Sequence, residues 1–195
     1  MRRIISILFI VVGLGFVGVA VYQLWDGHQA QKQSIVQAKE KIDNGIELKG
    51  DKTLEEAIEE YTAEYEEAFA TLEIPKLGKT LPIVEGTDPD ALNKGVGHLS
   101  NSMYPGQNEQ ILLSGHRDTV FRNFGELELG DTFIVEMPYG EFTYEIRDTE
   151  IVPEDDTTVI REMGEEVLVV TTCYPFHYVG NAPERFVAYA YPVAE

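Results

Sequence analysis

The chain has 195 residues and a net charge of −19, enough for a membrane anchor plus one domain of ordinary size. Such an acidic balance argues against nucleic-acid binding, which needs Lys and Arg to neutralise phosphates, and no nucleic-acid partner is expected. Cys173 is the single cysteine, so an intramolecular disulfide is excluded.

Arg2 and Arg3 precede Ile4 to Tyr22, which carries no charge. A spanning helix needs about 20 apolar residues, and Tyr22 and Trp25 suit the far interface. Residues 1–25 therefore read as a cytoplasmic tip and single-pass membrane anchor, with everything after Trp25 extracytoplasmic. A cleaved signal peptide competes with this reading, because Gly18 and Ala20 are small enough for a cleavage site. Residues 26–71 are polar and read as a helical stalk. Its second half begins at Thr53, which with Glu56 forms a capping box. Leu54, Ile58, Tyr61, Tyr65, Phe69 and Leu72 recur at spacings of three and four, one face of a helix. That face is expected to pack on the following domain or, alternatively, to bind a partner.

Residues 72–195 change texture to short apolar runs separated by turn signals. Strand pieces are expected at Ile74-Pro75, Leu81–Val84, Gln110–Ser114, Thr132–Met137, Glu141–Val152, Val167–Thr172 and Arg185–Tyr191, with one short helix over Asp88–Asn93. Pro138-Tyr139-Gly140 reads as a hairpin. Many short strands, few helices and no long parallel crossovers point to an all-β barrel or sandwich.

Two strands end in reactive side chains. Val167–Thr172 runs into Cys173, and Ile111–Leu113 runs through Ser114-Gly115 into His116. Pro175 has no N–H and keeps Tyr174 out of the α region, so Cys173 sits at a strand end facing a loop. The chemistry suggested is thiol nucleophilic catalysis. The thiolate is the active form, and its positive partners are His116 and Arg185. His116 can protonate a leaving amine. Arg185 can hold a substrate carbonyl or an oxyanion, with the Tyr174 N–H as a second donor. His98 and His177 read as packing or loop residues, and Arg117 as a surface or supporting residue. Metal binding fits poorly, since no HExxH or CxxC spacing is present. No cofactor or metal is expected, and calcium dependence stays open because no acidic run forms a ligand loop. A non-catalytic binding module with a structural Cys173 is the competing reading.

Three blocks then resemble the signature segments of the sortases: Leu113-Ser114-Gly115-His116-Arg117-Asp118-Thr119, Val170-Thr171-Thr172-Cys173, and Ala182-Pro183-Glu184-Arg185-Phe186-Val187. Tyr174-Pro175-Phe176-His177-Tyr178-Val179-Gly180 is similar to class D sortases in particular. The strand before the cysteine departs mildly from the family's usual Thr-Leu-x-Thr-Cys. The resemblance implies a closed sortase-type β-barrel with short helices. It implies a membrane-anchored cysteine transpeptidase with His116 as general acid/base, Cys173 as nucleophile and Arg185 as oxyanion or substrate-positioning group. Its implied partners are surface proteins bearing LPxT-type C-terminal sorting signals and a cell-wall precursor amine.

Overall fold

The computed structural model describes residues 2–46, 53–178 and 180–193, with the side chains of 2–8, 23 and 24 left aside. The flanking charges of Arg2 and Arg3, the stalk stretch 47–52 and Val179 of the class D segment fall outside the described side chains or residues.

Eight strands close into a barrel. They are β1 (Ala68–Ile74), β2 (Lys79–Glu85), β3 (Val96–His98), β4 (Gln110–Gly115), β5 (Thr132–Met137), β6 (Gly140–Pro153), β7 (Val167–Tyr174) and β8 (Glu184–Pro192). Around the barrel the order is β1-β2-β3-β4-β7-β8-β6-β5, and β5 pairs back onto β1. Two neighbouring pairs are parallel, β2 with β3 and β4 with β7. The expectation of no long parallel crossovers therefore fails. The first crossover runs through helix α3 (Pro89–Lys94), capped by Asp88, and the second carries the whole β5–β6 hairpin.

Apolar alternation explains which side chains fill the barrel. On β5, Phe133, Val135 and Met137 are buried between less buried neighbours. Strand β7 is buried on both faces, which accounts for its unbroken Val167–Val170 run. Leu168 and Val170 join the interior core with Phe69, Leu113 and Tyr144. Val167 and Val169 join an outer cluster with Leu112, Val187 and Tyr189, covered by Val159 and Met163 of the β6–β7 connection.

Helix α1 runs continuously over Arg2–Asn44. Its N-terminal part is long and apolar enough to cross a membrane, and that apolar window has no buried share. Its C-terminal part lies on the barrel: Ala38 packs with Ala68, Val84 and Ala91, and the Gln37 side chain accepts a bond from the Ala68 N–H at 3.2 Å. The first half of the stalk thus docks as well as the second, in which Tyr61 and Ala63 pack against the barrel core and the Gln107 amide donates to the Ile58 carbonyl at 2.8 Å.

The second stalk helix is short. Helix α2 covers Leu54–Glu59 behind the expected capping box of Thr53 and Glu56. The helical reading beyond it is corrected by the structure: residues 60–67 are irregular and β1 begins at Ala68. Tyr61 leaves the helix to pack edge-on against Tyr104 and Tyr139, with ring centroids 5.2 and 5.0 Å away. A register shift between Ala68 and Ala70 lets the consecutive residues Phe69 and Ala70 both join the interior core. Burying these rings outweighs the local helical preference.

Candidate active site

The site grows from strand register. Across the parallel β4–β7 pair, Leu112 faces Val169, Ser114 faces Thr171 and Gly115 faces Thr172. The next residues along the chain are His116, directly past the end of β4, and Cys173. Across the antiparallel β7–β8 pair, Cys173 faces Arg185. Side chains alternate between faces, and Leu112, Val169 and Tyr189 belong to the outer cluster. By the same parity His116, Cys173 and Arg185 form one lateral row on the outer face, at the end of three adjacent strands. Directly beneath lies the row of Ser114, Thr171 and Val187, with the two hydroxyls 3.4 Å apart. All three residues singled out in the sequence are therefore brought together. His116 is exposed, Cys173 is free and half-buried, and the Arg185 side chain is 31% exposed.

Local packing holds each strand end. The chain turns sharply after His116, whose carbonyl accepts a bond from the Phe121 N–H at 3.0 Å. Only glycine fits before it, because a Cβ on Gly115 would stand 2.5 Å from the Phe121 ring. The Thr172 hydroxyl donates to the Gly115 carbonyl at 2.7 Å, tying β7 to β4 one residue below the row. After Cys173 the Tyr174–Pro175 peptide is cis. Phe176 then packs on Tyr174 and Phe186 at 5.3 Å each and closes this end of the barrel.

Arg117 does more than a surface residue would. It is 7% exposed, and its Nη1 and Nη2 donate to the carbonyls of Pro175 and Gly180 at 2.9 Å each. The residue after His116 thereby clamps the loop after Cys173. Its adjacency to His116 was the one signal available in the sequence. Arg185 holds the other side of that loop: Nη1 donates to the carbonyls of Ala182 and Glu184 at 3.1 and 3.0 Å, and Nη2 meets Glu154 at 3.4 Å.

His98 and His177 make no hydrogen bond to this row among the described residues. His177 is exposed on the β7–β8 loop. His98 is buried on β3, with Nδ1 at 2.7 Å from Glu85 and Nε2 at 3.0 Å from the Met103 carbonyl, in line with a packing role. Burial works to raise the pKa of the Glu85 carboxyl, but the bond and charge of His98, with bonds from Ser100 and Tyr104, outweigh it and hold it below the usual range. Elsewhere Glu66, Asp88 and Asp90 bring carboxylate oxygens within 4.8 Å of one another. Glu66 is ion-paired with Lys94, and Asp88 caps α3.

Residues 72–193 match the model of the Sortase domain. The chain belongs to the sortase family. It is 47% identical to Sortase D of Bacillus subtilis over 97% of this chain and 98% of that one. It is 30% identical to Sortase SrtE1 of Streptomyces coelicolor over 74% of this chain and 42% of that one. Among solved structures, a Clostridium perfringens Sortase D5 transpeptidase superposes with TM-score 0.69 at 25% identity, covering 85% of this chain and 99% of that one. The catalytic domain of B. anthracis SrtD superposes with TM-score 0.58 at 41% identity, covering 69% and 93%. The closed barrel and the class D likeness read from the segment after Cys173 agree with these relatives. As a sortase, the chain is a transpeptidase of the cysteine type, and its N-terminal helix is a candidate membrane span.

Proposed function

We propose that this sortase is held in the membrane by Ile4–Tyr22 with its barrel outside, cleaves an LPxT-type sorting signal, and joins the freed carbonyl to a cell-wall precursor amine. The observation that carries the reading is the single outer-face row of His116, Cys173 and Arg185. The Cys173 thiolate attacks the Thr carbonyl carbon of the signal, and the C–N bond breaks as His116 gives its proton to the leaving amine. The product is a thioester on Cys173. The acceptor amine then attacks that carbonyl, loses a proton to His116, and the thiolate leaves. Arg185 stabilises the oxyanion in both steps. Its long contact to the exposed Glu154 carboxylate is of the weak surface kind, so the guanidinium can exchange it for substrate at little cost.

Mass spectrometry of the full chain after incubation with LPxT-type peptides tests this. An acyl adduct on Cys173, lost in Cys173→Ala with an unchanged fold, is expected. A folded wild-type chain that gives no adduct with any such peptide, or a Cys173→Ala variant that still cleaves, refutes it. A thiosulfonate reagent separates the competing binding-module reading, because a structural Cys173 would stay unlabelled. Protease added to intact protoplasts should remove the barrel. A mature protein beginning near Tyr22 would replace the anchor by a cleaved signal.

A further inference from the structure

One face of α1 stands across a groove of about 810 Å³ from the turn that follows His116. Ala20, His28 and Gln31 stand on the helix wall, and Lys79, Asp118 and Arg122 with Thr119 on the barrel wall. At about 1.5 Å of rise per residue, Ala20 to Gln31 spans roughly 16 Å. Ala20 lies within the uncharged stretch Ile4–Tyr22 and Gln31 lies beyond it. The groove therefore straddles the level at which the apolar span ends. The same helix reaches the opposite end of the barrel only later, where Lys41 pairs with Glu67. The end carrying His116 is thus the end turned toward the bilayer.

The groove carries two cations, Lys79 and Arg122, against one carboxylate, Asp118, within a chain of net charge −19. The Lys79 ammonium donates to the carbonyls of Val120 and Arg122 at 3.0 and 2.7 Å, which leaves one of its three donors free. Arg122 donates to the Asp118 carbonyl through Nε and Nη2 at 3.2 and 2.9 Å, while Nη1 has no bond among the described residues. Among the described residues neither cation is ion-paired, and the Asp118 carboxylate, though it lines the groove, pairs with Arg117 at 3.4 Å. Burial, then the charge of Arg122, lowers the pKa of Lys79, with Glu126 as a partial offset. Two neighbouring cations with spare donors, open at bilayer height, suit a phosphate.

We propose that this groove binds the phosphate of an anionic phospholipid headgroup, and that the contact seats the turn after His116 on the membrane surface. The proposal rests on reading Ile4–Tyr22 as an anchor. An acidic barrel is otherwise repelled by an anionic surface, so this end is the one such a surface accepts.

Native mass spectrometry of the full chain tests it, using micelles doped with equal fractions of phosphatidylglycerol or phosphatidylcholine. The wild type should retain one phosphatidylglycerol in preference to phosphatidylcholine. Arg122→Gln should weaken that retention about fivefold, the worth of one cation beside an anionic lipid. Thr119→Asp, which keeps both cations and adds an opposing charge, should weaken it too. Lys32→Gln, an exposed cation of α1 that does not line the groove, should not. Equal retention of both lipids, or equal loss in Lys32→Gln, overturns the site. Displacement by millimolar inorganic phosphate overturns the lipid assignment in favour of a soluble anion. Retention on phosphatidylcholine vesicles in high salt tests the anchor alone. A chain that stays on those vesicles yet shows no lipid preference fails only the groove.

Discussion

Arg117→Gln probes how the loop after Cys173 is held. The guanidinium makes two charge-assisted bonds, to the carbonyls of Pro175 and Gly180, and is almost fully buried. Bonds to charged groups contribute about 1.5–3 kcal/mol each. Pro175 is half-buried and Gly180 exposed, so water can replace part of what is lost, and a net cost of about 2–3 kcal/mol is expected. For a domain of this size that corresponds to a fall of roughly 6–12 °C in Tm. Function should suffer more than stability, because the released loop carries the far side of the row. A fall of about 10- to 100-fold in kcat, with KM changed less, is expected from a misplacement on the order of 1 Å. Arg117→Lys keeps the charge but not the two-pronged reach, so it should recover Tm better than kcat. Circular dichroism melts and peptide-cleavage kinetics, run well below the lower Tm, measure both quantities. Wild-type kcat in a destabilised Arg117→Gln would show that the clamp serves stability alone, and the reasoning would fail.

His116→Ala should abolish detectable cleavage, whereas Arg185→Ala should lose about 100- to 1,000-fold and keep its pH optimum; normal rates in a strongly destabilised Arg185→Ala would make Arg185 a loop brace. Gly115→Ala should push the Phe121 ring and cost about 1–3 kcal/mol, read as a lower Tm with a larger loss of cleavage; an unchanged Tm would contradict the packing described. Glu85 has its pKa held low in the fold, so its contribution is full above the ordinary carboxyl range and is lost as pH falls through the folded pKa. Melts from pH 6 down to 3 should therefore show a shallower acid decline for Glu85→Gln than for the wild type, and parallel curves would refute the coupling to His98.

The parts legible in the sequence are those whose cause is local. The doubly buried β7 reads as an unbroken β-branched run because both of its faces are covered. His116 and Cys173 stand out because each follows directly on such a run. Where the cause is distant, the reading fails. Tyr61, Tyr65, Phe69 and Leu72 fit a helical spacing, yet Tyr61 packs on rings further along the chain, Tyr65 bonds to Asp88 at the start of α3, and β1 takes the last two. Strand β3 is too short to show a period. Its Gly97 is required because a Cβ there would stand 2.5 Å from the Gly86 carbonyl oxygen, a contact that spacing does not reveal. The clamp by Arg117 is equally hidden, since its partners are backbone carbonyls that any residue could supply.

Register is what makes three separated residues one site. His116 follows directly on β4, and Cys173 and Arg185 stand one residue inside the ends of β7 and β8; parity puts all three on the outer face. A slip of one residue in the β4–β7 pair would turn the β7 side chains over, sending Cys173 toward Phe176 and Phe186 and putting Leu168 and Val170 into the outer cluster. The cost of that slip is one of shape, since both faces of β7 are apolar and buried and each side chain would enter a packing site fitted to another. The packing fit that holds the barrel together therefore fixes which face the thiol occupies. The bond from Thr172 to the Gly115 carbonyl and the clamp from Arg117 then have only the last turn of chain to position. On this argument, core substitutions on β7 that preserve volume should leave the row intact, while polar changes at the Ser114–Thr171 level should disturb cleavage without lowering Tm by more than a few degrees.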